Sequence, residues 1–256
     1  MTRSRSLALL ALPALAFALV PLVALAVRAP WSHAGSELGR AGARTALAVS
    51  LEVSIGATVL AVALAAPIAW ALARADLPAR SLVRAVVLLP MVLPPVVAGV
   101  ALLAALGRFG VVGRLLDHLG VTLPFTPAGA AVAAAFVSGP FAVLAFEAGF
   151  RSLDQRLVDA ARTLGASRTR AFLTVTLPLL RPQLVAGLAL TWARALGEFG
   201  ATITFAGNLR GSTQTLPLAV FQALQTDPGG AILVSLLMLV LSVGVLALLG
   251  GRMLRS

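Results

Sequence analysis

Residues 46–73 of this chain read ALAVSLEVSIGATVLAVALAAPIAWALA and decide its fold. The single charged residue in this segment is Glu52, and the segment exceeds the about 20 residues with which an α-helix crosses the hydrocarbon core of a bilayer. The sequence therefore predicts a transmembrane helix here, long enough to tilt or to project from the membrane.

The composition of the whole chain agrees with this prediction. Of the 256 residues, 59% are hydrophobic and 11% are charged, and the mean hydropathy is +0.99. Soluble domains are about 45–50% apolar and about 25% charged, so a soluble globular protein is excluded. The net charge of +11 would suggest nucleic acid in a soluble protein, but in a membrane protein arginines first set the topology, and no nucleic-acid partner is expected.

Five more apolar stretches are long enough to span a bilayer. They are residues 7–27, 85–106, 128–150, 183–206 and 231–250. Together with 46–73 they predict an all-α integral membrane protein, one bundle of six transmembrane helices whose many Ala and Gly residues allow close approach. Pro94-Pro95 is predicted to break the third span near its middle.

The first span has some features of a secretory signal peptide. Arg3 and Arg5 precede it, and Ala24-Leu25-Ala26 resembles a cleavage site. Its apolar run is longer than the 7–15 residues that are typical of such a peptide, so we expect a retained helix.

The arginines predict the orientation in the cell membrane. With a cytoplasmic N-terminus, the inner segments carry 13 arginines and the outer segments carry 6, which places both termini in the cytoplasm. One outer segment contains a short amphipathic stretch, 111–116, that is predicted to lie at the membrane interface.

Missing residue types limit the chemistry of the chain. The sequence contains no Lys, so it has neither a phosphate-binding P-loop nor a Schiff-base lysine. It contains no Cys, and its two histidines, His33 and His118, lack ligand spacing, so no metal site is expected. An intramembrane enzyme would need a nucleophile, a base or a metal within the spans, and no catalytic residue is assigned.

The longest inner loop, 151–182, contains a predicted amphipathic helix. Apolar residues recur at helical spacing on one side, namely Leu153, Leu157, Ala160, Ala161 and Leu164. Gly165 is predicted to stop this helix, and a second helical segment, 167–176, is predicted to end before Pro178, with a further break at Pro182. By itself the pattern fits either a helix resting on the membrane surface or one that docks into a groove of a cytoplasmic partner.

This loop resembles the EAA loop of ABC-transporter permease subunits. That pattern is EAA, three residues, Gly, nine residues, Ile, one residue and Leu-Pro, and every spacing agrees, with Asp159 in place of Glu and Val175 in place of Ile. The resemblance implies a type I ABC importer permease fold and a coupling helix, 153–164, seated in a cleft of a separate ATPase subunit that binds ATP and Mg. It assigns the coupling role to six residues: Asp159, Ala160, Ala161, Leu164, Gly165 and Pro178.

Two other segments resemble the molybdate branch of this family. Residues 89–99, LPMVLPPVVAG, match its LPxVLPPxVxG stretch, and residues 193–205, ARALGEFGATITF, are similar almost letter for letter. The resemblance covers 44–250, which we take as the permease domain, between an N-terminal helix with its outer loop, 1–43, and a tail, 251–256. It implies that two copies form a molybdate pathway served by an extracytoplasmic molybdate-binding protein, and that this chain binds no cofactor itself.

Sulfate, thiosulfate or tungstate import is the alternative function. Sulfate permeases share the Arg…Gly-Glu-[Phe/Tyr]-Gly core but usually replace the Ala-Thr-Ile-Thr that follows it, here residues 201–204. A stand-alone channel would leave the EAA-like loop unexplained.

Polar residues inside the predicted spans have two interpretations each. Arg194 and Glu198 are four residues apart and are predicted to form a structural ion pair, although Arg194 could also help to admit a dianion. Ser138, Thr202 and Thr204 are candidates for the substrate pathway because they offer hydroxyls without fixed charge, but they fit helix–helix hydrogen bonds equally well. Two further acidic residues are expected to pair with Arg or to lie near helix ends: Glu52 and Glu147.

Overall fold

The computed structural model describes the backbone of residues 2–253 and the side chains of residues 12–245 and 247. Within that backbone range the chain is helical and contains no strand. Its α-helices are α1 (Thr2–Arg28), α2 (Ala34–Arg40), α3 (Ala43–Arg74), α4 (Arg80–Leu88), α5 (Pro95–Leu106), α6 (Gly113–His118), α7 (Pro127–Ser152), α8 (Gln155–Thr163), α9 (Arg168–Ala171), α10 (Leu177–Leu196), α11 (Gly200–Ala206), α12 (Leu216–Thr226) and α13 (Pro228–Met253). Residues 254–256 of the predicted tail lie outside the described range.

Four described helical stretches are long and apolar enough to cross a membrane: Ala43–Arg74, Pro127–Ser152, Arg168–Leu196 and Pro228–Val245. Two bent pairs raise the number to six if each pair counts as one span. The first joins Leu12–Arg28 to Trp31–Arg40 at 53°, and the second joins Arg80–Met91 to Pro95–Leu106 at 112°. The all-α membrane fold expected from the sequence is confirmed.

Small residues hold the centre of the bundle together. Alanines of α3 pack directly on alanines of α7, including Ala57 and Ala134. On the other side of α7, a Cβ added to Gly187 of α10 would lie 2.7 Å from Cε1 of Phe146. The helices approach this closely because alanine or glycine lies on at least one side of each contact, which is how helices associate in lipid.

The third span is broken at the predicted place. After α4, a short 3₁₀ turn over Leu89–Met91 leads to Pro94, and α5 begins at Pro95, where the missing N–H of proline costs no helical hydrogen bond. The second half of the span then packs against α11, since a Cβ on Gly99 would lie 2.5 Å from Cβ of Thr204.

The prediction for the fifth span was wrong at both ends. Helix runs from Arg168 through a π-helical segment, Phe172–Thr176, and continues to Leu196, where residues 197–199 interrupt it before α11. The breaks expected at Pro178 and Pro182 do not occur. The irregular π-helical turn precedes Pro178, and a proline within a membrane helix is tolerated where neighbouring groups satisfy the freed carbonyl.

Candidate functional site

The predicted coupling helix is present as α8, and its two ends are set by local chemistry. At its start, the carboxylate of Asp154 accepts a hydrogen bond from the backbone N–H of Arg156 at 3.0 Å. At its end, Gly165 adopts a left-handed φ of +89°, and the N–H of Ala166 bonds back to the carbonyl of Ala161 at 3.1 Å. This is a Schellman ending, which favours glycine because an L side chain rarely adopts that φ.

The two faces of α8 have different surroundings. On one side, Gln155, Val158 and Arg162 line a cavity together with Trp70 and Arg74 of α3 and residues near α9. The opposite face carries an exposed apolar stripe formed by Leu157, Ala160 and Leu164. Leu164 is 88% exposed. An uncovered apolar stripe on a short helix is the feature that helix-in-groove docking requires.

Leu153 does not belong to that stripe, although the sequence pattern placed it there. It precedes the first turn of α8 and packs instead on the cluster formed by the inner ends of α3 and α7, which includes Leu72 and Phe150. Its carbonyl accepts a hydrogen bond from Nη2 of Arg74 at 2.7 Å. The start of the coupling helix is therefore tied to two spanning helices.

The remaining coupling candidates lie at the same end of the molecule. Asp159 is exposed on α8 beside the apolar stripe, and Ala161 is half-buried. Pro178 is exposed in the first turn of α10. The coupling role of these residues stays a prediction.

Arg194 and Glu198 meet at the break in the fifth span. Nη2 of Arg194 lies 2.7 Å from Oε2 of Glu198, whose side chain is 2% exposed. The other carboxylate oxygen accepts a hydrogen bond from the N–H of Ala201 at 2.9 Å. Glu198 thus joins the last turn of α10 to the first turn of α11, with one oxygen in the ion pair and the other in a hydrogen bond.

The three candidate pathway hydroxyls differ in their surroundings. Ser138 and Thr202 are 0% and 1% exposed, and neither hydroxyl has a hydrogen-bond partner among the described residues. Thr204 is half-buried and donates its hydroxyl to the carbonyl of Gly200 at 2.8 Å. A further buried hydroxyl without a described partner, on Thr191, was missed because it lies in an apolar stretch of α10 that gives no sequence signal.

The two other acidic residues of the spans behave differently. Glu147 is 2% exposed and lies between two guanidinium groups, 2.6 Å from Nη2 of Arg151 and 3.5 Å from Nε of Arg84. It thereby links the end of α7 to α4. Glu52 is exposed on α3, and no ion pair joins it to any side chain that the structure describes.

A polar cavity of about 300 Å³ lies at the other end of the spans, beside α12. Its lining includes Arg40, Arg210, Gln214 and Asp227. The N–H of Gly230 donates to Oδ1 of Asp227 at 3.0 Å, and this hydrogen bond, with a smaller contribution from the Arg40 charge, lowers the pKa of that carboxyl from its usual 3.8. Sequence reasoning missed this site because its residues come from the end of α2, the loop before α12 and α12 itself with the residue that follows it.

The described residues contain no group of three or more His, Cys, Asp or Glu that could hold a metal ion. The arrangement instead offers a short helix with an exposed apolar stripe at one end of the bundle, and two broken spans that pack against each other through α5 and α11.

Comparison with known proteins identifies the family. Residues 65–254 match the family described as binding-protein-dependent transport system inner membrane component. The chain belongs to this family. Its members are permease subunits of ABC importers, in which a partner ATPase hydrolyses the ATP.

The most similar relatives of this inner membrane component include two molybdenum transport permeases. The chain is 41% identical to the molybdenum transport system permease protein ModB of Mycobacterium tuberculosis over 94% of its own length and 92% of the relative's. It is 49% identical to ModB of Escherichia coli strain K12 over 53% of its length and 59% of the relative's.

Two further comparisons concern a sulfate permease and a solved structure. The sulfate transport system permease protein CysT of Salmonella typhimurium is 41% identical over 50% of this chain and 47% of its own length. The crystal structure of a bacterial ABC transporter that imports the acidic polysaccharide alginate contains a chain with a TM-score of 0.76 at 17% identity, covering 99% of this chain and 96% of that one. This likeness confirms the type I importer permease fold.

Proposed function

We propose that this chain is the membrane-spanning subunit of an ATP-driven molybdate importer. The observation that carries the proposal is the segment 193–205, which resembles molybdate permeases and forms the broken end of the fifth span. Identity to ModB over nearly the whole chain supports it.

In the proposed assembly, two copies of the chain form the pathway and each α8 seats in a cleft of an ATPase subunit. Both termini and α8 lie in the cytoplasm, as the distribution of arginines favours. An extracytoplasmic molybdate-binding protein delivers the substrate to the opposite face.

The contacts of α8 suggest how ATP binding reaches the pathway. Closure of the ATPase pair displaces α8, and the displacement passes to α3 through the bond between Arg74 and the carbonyl of Leu153. It passes to α7 through the packing of Leu153 beside Phe150. The pathway then switches from inward-open to outward-open, and hydrolysis resets it.

Within the pathway, hydroxyls rather than fixed charges face the oxyanion. Thr202 and Thr204 of α11 and Ser138 of α7 are the candidates, and weak neutral sites suit a substrate that must leave again. Arg194 forms an ion pair with Glu198, so the pair stabilises the broken span and does not bind the dianion.

Sulfate is the second candidate substrate, because it is also a tetrahedral dianion and the CysT relative matches half of this chain. ModB of Mycobacterium tuberculosis matches 94% of the chain, which favours molybdate.

Reconstitution of the chain with its ATPase subunit in proteoliposomes tests the proposal. We expect ATP hydrolysis and uptake that depend on a molybdate-loaded binding protein, with tungstate competing and sulfate in equal concentration leaving uptake unchanged. If sulfate blocks uptake and tungstate has no effect on it, the substrate is sulfate and not molybdate. Absence of hydrolysis stimulated by the loaded binding protein would reject the importer role.

A further inference from the structure

A cavity of about 210 Å³ lies on the inward side of α8, opposite the exposed apolar stripe. It is bounded by the last turns of α3, by α8 itself and by the beginning of the helix that leads into the fifth span. Three arginines from these three elements line it: Arg74, Arg162 and Arg168.

The arginines of this cavity lack a described counter-charge. No Asp or Glu lines the cavity, and no described carboxylate forms an ion pair with any of the three. Arg74 uses one N–H on the carbonyl of Leu153, and its other donors remain available. Asp159 lines a separate, more open groove with Arg162 and Arg168 but pairs with neither. Three arginines that line one cavity without a described counter-charge favour a bound anion, because like charges repel.

The chemistry of guanidinium narrows the class of anion. Its planar fork of donors matches the oxygens of phosphate and related tetrahedral oxyanions in bidentate geometry. An anion held by three such forks would neutralise the cavity and connect three helices.

Aromatic side chains place the cavity at the level of the membrane surface. Trp70, one turn before Arg74, is 54% exposed, and Phe172 is 45% exposed. Exposed tryptophan at the end of a spanning helix is typical of the headgroup region, and basic pockets between helix ends there bind lipid headgroups.

We propose that this cavity binds the phosphate of an anionic phospholipid headgroup. The headgroup holds the inward face of α8 against the membrane surface, while the stripe of Leu157, Ala160 and Leu164 stays free for the ATPase. The proposal rests on the proposed function only for the statement that α8 meets an ATPase. A lipid phosphate and a free oxyanion present the same oxygens to the arginines. The experiment therefore has to distinguish these two sources.

The test uses Trp70 as its reporter in the full chain. Trp31→Phe and Trp192→Phe remove the other two tryptophans, and the chain is placed in phosphatidylcholine nanodiscs that contain a small fraction of brominated phosphatidylglycerol or brominated phosphatidylcholine. We expect stronger quenching of Trp70 by the anionic lipid at equal mole fraction. Arg162→Gln and Arg168→Gln should each weaken that preference about fivefold.

Arg156→Gln is the matched control, since Arg156 is an exposed arginine of the same helix that does not line the cavity. It should leave the preference unchanged. Equal quenching by the two lipids, or an equal loss in all three arginine variants, would overturn the proposal.

Competition by a free oxyanion is measured in the same nanodiscs. Displacement of the brominated anionic lipid by millimolar inorganic phosphate or molybdate would assign the cavity to a free anion and overturn the lipid source. If the double tryptophan variant does not fold, native mass spectrometry of the unaltered chain counts the retained phosphatidylglycerol molecules, with one fewer expected in Arg162→Gln.

Failure of the proposed function gives a different result from failure of this inference. ATP hydrolysis of the full complex, stimulated by the loaded binding protein, is measured in parallel. Hydrolysis present without any lipid preference rejects the cavity assignment alone, whereas lipid preference without stimulated hydrolysis rejects the importer role alone.

Discussion

At the scale of single residues, the backbone angle of Gly165 sets where α8 ends. A Cβ built on it meets nothing within 4 Å, so the open space around it does not explain the glycine. The φ of +89° does, because it lies in the left-handed region. A substitution at Gly165 therefore tests the effect of the backbone angle without a steric clash.

We predict that Gly165→Ala loosens the end of α8, at a cost of about 1 kcal/mol, and lowers the amount of molybdate imported per ATP hydrolysed. Gly165→Asn is the control, because asparagine adopts left-handed angles more readily and should retain more of the coupling. The ratio of uptake to hydrolysis in proteoliposomes measures both. Identical ratios in the parent and the two variants would contradict the role assigned to this turn.

Asp227 gives a pH-dependent prediction at the same scale. Its pKa is lowered in the folded chain, chiefly by the N–H of Gly230. The ionised carboxylate therefore stabilises the fold above the unfolded pKa of 3.8, and this contribution is lost as the pH falls through the folded value.

Asp227→Asn should remove that pH dependence while keeping a good helix cap at neutral pH. Thermal unfolding in detergent measures it: the parent should lose more stability than the variant as the pH falls below 3.8. Parallel losses in the two proteins would show that Asp227 does not contribute in this range.

At the scale of helices, the sequence predicted where apolar helices run better than where they end. Segments such as 46–73 were recognised because about 20 apolar residues have no other common use. The break at 197–199 was missed because Arg194 and Glu198 have the same spacing in an unbroken helix. Just after the break, Gly200 packs on Pro95 of α5, and such long-range contacts leave no local pattern.

The same distinction holds for the site. The EAA-like spacing located α8 and its terminal glycine, since both depend on neighbours in sequence. The cavity behind α8 needed the structure, because Arg74 and Arg168 come from distant parts of the chain.

The ion pair that bridges α10 and α11 can be tested with a double-mutant cycle. We predict that Glu198→Gln destabilises the fold by roughly 1–3 kcal/mol, less than a fully buried pair would lose, because the side chain of Arg194 is 30% exposed. Adding Arg194→Gln should restore part of the loss, since no uncompensated charge then remains. Strictly additive losses in denaturant unfolding would show that the pair is not coupled.

At the scale of the whole molecule, the polar cavities lie at the two ends of an apolar bundle. One end carries α8 and the three-arginine cavity, and the other carries the cavity with Arg40, Arg210 and Asp227. Between them, the tight packing of α3, α7 and α10 provides a rigid connection. The exposed stripe on α8 is the apolar surface suited to contact with a partner ATPase.

This view predicts that Leu164→Glu prevents assembly with the ATPase without unfolding the chain. Leu164 is 88% exposed, so its replacement removes no internal packing, whereas burying it in a partner groove is worth about 1.5–3 kcal/mol, or roughly tenfold to hundredfold in affinity. Leu119→Glu is the control, because Leu119 is also exposed, at 69%, but lies just after α6, away from α8. Co-purification with the ATPase should fail for Leu164→Glu and persist for Leu119→Glu, with unchanged melting temperatures in both. Equal co-purification would mean that the ATPase contacts this end of the molecule through residues other than the stripe.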